Sequence, residues 1–155
     1  MAGYSDEEIA HFYSVALDLV EKAGKVVVSA IENRDKKIDE KASPTDLVTE
    51  TDKAVENLLV SGLKNQFPEH DFIGEEDISA QSGYVSTFTK KPTWIIDPID
   101  GTMNFVHTNP LVTISVGLTI NGKLIIGIIS APCIGKLYAA VKGQGATCNG
   151  IPMKV

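Results

Sequence analysis

Asn121-Gly122 stands between two apolar runs, Leu111 to Ile120 and Leu124 to Ser130. An Asn-Gly pair is a strong signal for a tight hairpin, because both central residues of the turn that suits strand twist need positive φ. The sheet is therefore expected to be at least partly antiparallel. Phe72-Ile73, Thr93 to Ile96 and Leu137 to Val141 are further short apolar runs that read as strands. Asn149-Gly150 repeats the hairpin signal, yet only Ile151 to Val155 follow it, so the returning strand has barely begun and the chain reads as truncated.

Ahead of the strands the apolar period is helical. Ser5 with Glu8 makes a capping-box pattern, and Ile9, Phe12, Ala16, Leu19, Val20, Ala23 and Val27 recur at helical spacing, which predicts one long helix to about Asn33. Asn33 to Pro44 has the charged and polar composition of a loop or flap with nothing to bury. A second helix is expected from Thr51 or Asp52, with Val55, Leu58, Leu59 and Leu63 as its apolar stripe and Pro68 as its stop. Two leading helices followed by a meander of strands predict an α+β layered sandwich, the helices packed on one face of a largely antiparallel sheet.

Composition narrows the partners. The 155 residues suit one domain, and 43% hydrophobic with 22% charged residues is ordinary globular usage. A net charge of −6 and a single arginine, Arg34, argue against a nucleic-acid surface. The polar, acidic start lacks a signal peptide pattern, and no apolar run is long enough to span a bilayer. Cys133 and Cys148 have no Cys or His at metal-ligand spacing, so neither a disulfide framework nor zinc is indicated and a reduced, cytoplasmic setting is expected. His11 and His70 read as surface residues, His107 as a surface or partly buried one, and Trp94 and Cys133 as core.

The chemistry concentrates in Trp94-Ile95-Ile96-Asp97-Pro98-Ile99-Asp100-Gly101-Thr102-Met103-Asn104-Phe105. Proline ends a ladder, which puts Asp97 on the last strand residue, Asp100 just past the turn, and the Ile99 carbonyl outside the pairing. Oxygen-only donors at that density suit a hard cation such as Mg2+. Gly101 and Thr102 offer backbone N–H groups to a phosphate at the start of a helical turn. Gly74-Glu75-Glu76-Asp77 follows the Phe72-Ile73 strand, and Glu75 reaches the same cations if that strand neighbours the one ending at Asp97. Acidic pairs are usually solvated loop tips, and Asp is common in turns and caps, so these acids gain weight only together. Two cations sharing a carboxylate would clamp a phosphoryl group and acidify a water, which is phosphate-ester hydrolysis.

Three segments in order, Ser43 to Asp52, Phe72 to Glu76 and Trp94 to His107, resemble the inositol monophosphatases within the lithium-sensitive, metal-dependent sugar phosphatases. The likeness extends through Gly143-Gln144-Gly145-Ala146 and Cys148-Asn149-Gly150. It implies the sugar-phosphatase sandwich, with residues 1–155 as one amino-terminal metal-binding domain and the second half of the fold absent. Glu75, Asp97 and the Ile99 carbonyl then correspond to ligands of a first Mg2+, and Asp97 and Asp100 to ligands of a second. Thr102, held by Asp52 and acting with Glu75, corresponds to the pair that orients the attacking water, and Glu75, Ile99, Asp100, Gly101 and Thr102 meet the substrate. Glu76 takes a supporting role.

The implied activity is hydrolysis of inositol monophosphate to inositol and phosphate by a magnesium-activated water, in a protein that is a homodimer at full length. A related phosphatase of sugar bisphosphates or phosphoadenosine nucleotides, and a non-catalytic fragment that binds metal or a partner, are the alternatives. Met103 departs from the family, which has a second threonine there and a later Trp-Asp-x-Ala segment that this chain lacks.

Overall fold

The computed structural model describes residues 3–33, 44–74 and 90–154. Helix α1 spans Asp6–Glu32 and opens on the expected capping box. Ser5 Oγ accepts the Glu8 N–H at 3.2 Å, while the Glu8 carboxylate accepts the Ser5 N–H at 2.7 Å. Two of the orphan donors of the first turn are thereby satisfied. Phe12, Ala16, Val20, Ala23 and Val27 form its buried face.

Helix α2 spans Pro44–Gln66, so it starts earlier than the expected Thr51 or Asp52. The reason is that proline at the first helical position sacrifices no intrahelical hydrogen bond and presets φ. Asp52 consequently lies well inside the helix and not at its amino terminus. Val48, Thr51, Val55, Leu59 and Leu63 are its buried stripe. α1 packs on α2 so closely that a Cβ at Gly62 would lie 2.5 Å from Leu19 Cδ2. Of the loop expected from Asn33 to Pro44, residues 34–43 lie outside the described residues, as do Glu75, Glu76 and Asp77.

The strands are β1 (Asp71–Gly74), β2 (Thr93–Asp100), β3 (Thr113–Ile120), β4 (Lys123–Ala131), β5 (Lys136–Val141), β6 (Gly145–Cys148) and β7 (Ile151–Pro152). A short helix α3, Thr102–Val106, follows β2, and Pro132–Ile134 forms a 3₁₀ turn. Among the described residues seven strands lie in sequence order in one sheet, with β1 and β2 parallel and the other neighbouring pairs antiparallel. Asn121 and Gly122 have φ of 52° and 71°, and Asn149 and Gly150 of 50° and 76°, so both expected hairpin turns form.

Register puts Ile96, Val116, Ile128 and Ala139 in one row across four strands, all buried. Trp94, Ile114, Leu118 and Ile126 complete this face, against which α1 and α2 pack as expected. Each such Leu, Ile or Val contributes about 1.5–3 kcal/mol relative to exposure. The opposite face carries Ile129 and Tyr138, both exposed.

Two further expectations change. β2 does not stop before Pro98 but continues to Asp100 through a register shift. Between the partners Asp97↔Ser115 and Asp100↔Thr113, Pro98 and Ile99 face the single residue Ile114. A bulge is one of the few places where a proline without an N–H can sit in a strand. His70 is also not a surface residue: it is 9% exposed, and its Nδ1 accepts the Trp94 Nε1–H at 3.0 Å. His11 and His107 are exposed, Trp94 is buried, and Cys133 is half-buried against the core.

Candidate active site

β1 ends alongside the middle of β2, next to the stretch that carries Asp97 and Asp100. Gly74, the last residue of β1, is the register partner of Ile96, one residue before Asp97. The neighbouring strands that the sequence reading required for Glu75 are therefore present, although Glu75 itself lies outside the described residues. Asp97 is half-buried, with its Oδ1 atom buried. Ile99 is a buried residue within the bulge, and Asp100 is exposed at the strand's end.

Gly101 turns the chain from β2 into α3. Its φ is +89°, and an added Cβ would meet the Leu111 carbonyl oxygen at 3.1 Å, so the position demands glycine on both counts. α3 starts at Thr102, as the expected helical turn requires, and Thr102 is exposed. The Gly101 carbonyl accepts the Phe105 N–H at 3.1 Å, and Phe105 plugs α3 into the core. Met103 is exposed beside Thr102.

α2 packs against both β2 and α3. The helix carrying Asp52 thus adjoins the elements carrying Asp97 and Thr102, and Asp52 also buries its Oδ1. Among the described residues no three His, Cys, Asp or Glu side chains gather as a metal site. The donor chemistry fits a hard cation nonetheless: two carboxylates and a main-chain carbonyl, all oxygen, lie within Asp97 to Asp100. Zinc-type nitrogen and sulfur donors are not part of this segment.

Two polar residues add to the site without having been assigned a part from sequence. Asn104 Nδ2 donates to the Leu111 carbonyl at 2.7 Å, tying α3 to the segment entering β3. Thr113 Oγ1 donates to Asp100 Oδ2 at 3.4 Å. Their sequence signal was slight, since Asn104 sat inside the acidic string and Thr113 inside a strand.

The chain matches the family model described as the inositol monophosphatase family over residues 8–155. It is 49% identical over 140 residues to human inositol monophosphatase 1, covering 90% of this chain and 50% of that protein. The crystal structure of inositol monophosphatase II from Staphylococcus aureus superposes with a TM-score of 0.76 at 33% identity, covering 92% of this chain and 50% of that one. SaIMPase-II with inositol monophosphate bound superposes at 0.70 with 32% identity, covering 92% of this chain and 48% of that one. With 2'AMP bound it superposes at 0.73 with 34% identity, covering 92% and 49%. The chain spans about half the length of these relatives. A family match over nearly all of its residues, with a sheet and helices that superpose on solved members, shows that this chain belongs to the inositol monophosphatase family.

Proposed function

We propose that this protein hydrolyses inositol monophosphate to inositol and phosphate, using Mg2+ held at the end of β2. The observation that carries the reading is the Asp97 to Asp100 bulge beside the end of the parallel strand β1, in a chain of this family. Asp97, the Ile99 carbonyl and Glu75 would hold one cation, and Asp97 and Asp100 a second. Bound Mg2+ supplies charge neutralisation at the phosphoryl oxygens and a water of lowered pKa. Thr102, oriented by Asp52, aligns the attacking water together with Glu75, and Asp100, Gly101 and Thr102 seat the phosphate. Residues 1–155 act as the amino-terminal metal-binding domain. The same reading carries lithium inhibition, a homodimeric longer form and a cytoplasmic setting, and no helix of the described residues is long and apolar enough to cross a membrane.

Phosphate release from inositol 1-phosphate, with and without Mg2+, tests this in parallel with Asp97→Asn. The expected result is magnesium-dependent release that falls by roughly a hundredfold or more in the variant, as for loss of a principal electrostatic group. Release that is unchanged in Asp97→Asn, or none from the folded protein, refutes the reading. A second reading, hydrolysis of a nucleotide monophosphate, is favoured by the relative solved with 2'AMP bound. Faster release from 2'-AMP than from inositol 1-phosphate would select it.

A further inference from the structure

Thr113 is the first residue of β3 and the register partner of Asp100, the last residue of β2. An ionised carboxylate only accepts, so in the 3.4 Å contact the Thr113 hydroxyl is the donor and Asp100 Oδ2 the acceptor. The two partners differ in how firmly they are held. Val112 and Ile114, on either side of Thr113, are both fully buried. The incoming segment is pinned as well: Asn109 Oδ1 accepts the Leu111 N–H at 3.0 Å, and Pro110 O accepts the Val112 N–H at 2.9 Å. A threonine on such a strand is also stiff at χ1. Asp100, by contrast, is exposed, next to a bulge and a glycine turn.

We infer that Thr113 is a positioning residue, whose hydroxyl fixes the rotamer of Asp100 so that its carboxylate is presented to a divalent cation before the cation arrives. This rests on the reading of Asp97 and Asp100 as metal ligands. Partners one shell removed from a metal tune its affinity by orienting the ligand, and the exposed setting puts the effect of losing this one at about fivefold. Valine keeps the β-branched shape and removes the donor. Serine keeps the donor.

The test is a Mn2+ titration of the whole chain, with the free ion counted by its electron paramagnetic resonance signal. The proteins are the unaltered chain, Thr113→Val, Thr113→Ser, Asp100→Asn and the Asp100→Asn, Thr113→Val double variant, each checked for an unchanged melting temperature. Expected is an affinity about fivefold weaker in Thr113→Val, restored in Thr113→Ser, and no further loss from the valine once Asp100 is asparagine. Equal affinity in Thr113→Val and the unaltered chain overturns the inference and leaves the metal reading standing. A valine effect that persists beside Asp100→Asn overturns it too, because Thr113 then acts through something else. An unaltered chain that takes up no Mn2+ overturns the metal reading, and the inference with it.

Discussion

Lowering the pH should loosen this fold through His70. Its ring lies among Phe12, Phe67 and Trp94, stacked on Phe67 at 5.0 Å, with Tyr4 at its edge. Trp94 Nε1–H can only donate, so the Nδ1 that accepts it must be bare and the imidazole neutral. Burial pushes the pKa of His70 below its ordinary 6.5, and the nearby Asp71 carboxylate pulls partly the other way. In the unfolded chain the same residue protonates near 6.5, so below that value the unfolded state binds more protons. The stabilisation from neutral His70 is thus complete above 6.5 and is lost as the pH falls toward the lower, folded value. Protonation would turn N–H against N–H, removing one hydrogen bond and stranding a buried indole donor, at a cost of about 1–3 kcal/mol.

Trp94 is the one tryptophan of the chain, so its fluorescence reports on this cluster directly. Urea unfolding at about pH 7.5 and about pH 5.5 should show a loss attributable to His70 of up to about 1.4 kcal/mol, the ceiling for one proton over the single unit below 6.5. His70→Asn supplies the control, since an amide oxygen can take the place of Nδ1 and does not titrate. That variant should be weaker at the higher pH, having lost the ring contacts, but should decline much less on acidification. The carboxylates contribute equally to both proteins. An equal acid loss in the two would refute the reasoning.

Other outcomes follow from single contacts. Gly101→Ala, with φ of +89° and a Cβ 3.1 Å from the Leu111 carbonyl, should lower stability by about 2 kcal/mol in a thermal melt, and an unchanged melting temperature would count against it. Phe105→Ala empties a fully buried site and should cost about 3–5 kcal/mol by urea unfolding; a loss under about 1 kcal/mol would mean that α3 is not anchored as described. Ser5→Ala removes the acceptor of the capping box and should cost about 1 kcal/mol, measurable as a shifted urea midpoint. Burial, helped by Glu32, raises the Cys133 thiol, so iodoacetamide at about pH 8 should modify it several-fold more slowly than a small free thiol; an equal rate would contradict this.

Local chemistry decided what could be read from the residues alone. Ser5 and Glu8 cap α1, the apolar periods mark α1 and most of α2, and the Asn-Gly pairs take positive φ at both hairpins because those turns demand it. The acids of Asp97 to Asp100 were legible because an apolar run ends in oxygen donors on either side of a proline. Proline was also where local reading failed, twice. Pro44 begins a helix and Pro98 lies within a strand, since neither place requires the N–H that proline lacks.

Contacts between distant segments decided the rest. His70 is polar and follows Pro68 and Glu69, so nothing beside it marks it as buried; Phe12 from α1, Phe67 beyond α2 and Trp94 from β2 make it so. The parallel pairing of β1 with β2 sets Gly74 opposite Ile96, the residue before Asp97, across a gap in sequence. Thr113 reads as one strand residue among many until register places its hydroxyl against Asp100. The sequence by itself determined the helices, the turns and the oxygen donors, because those depend on neighbours along the chain. Which donors meet, and which histidine loses its water, only the tertiary structure decided, because desolvation and register arise between segments that are remote in sequence.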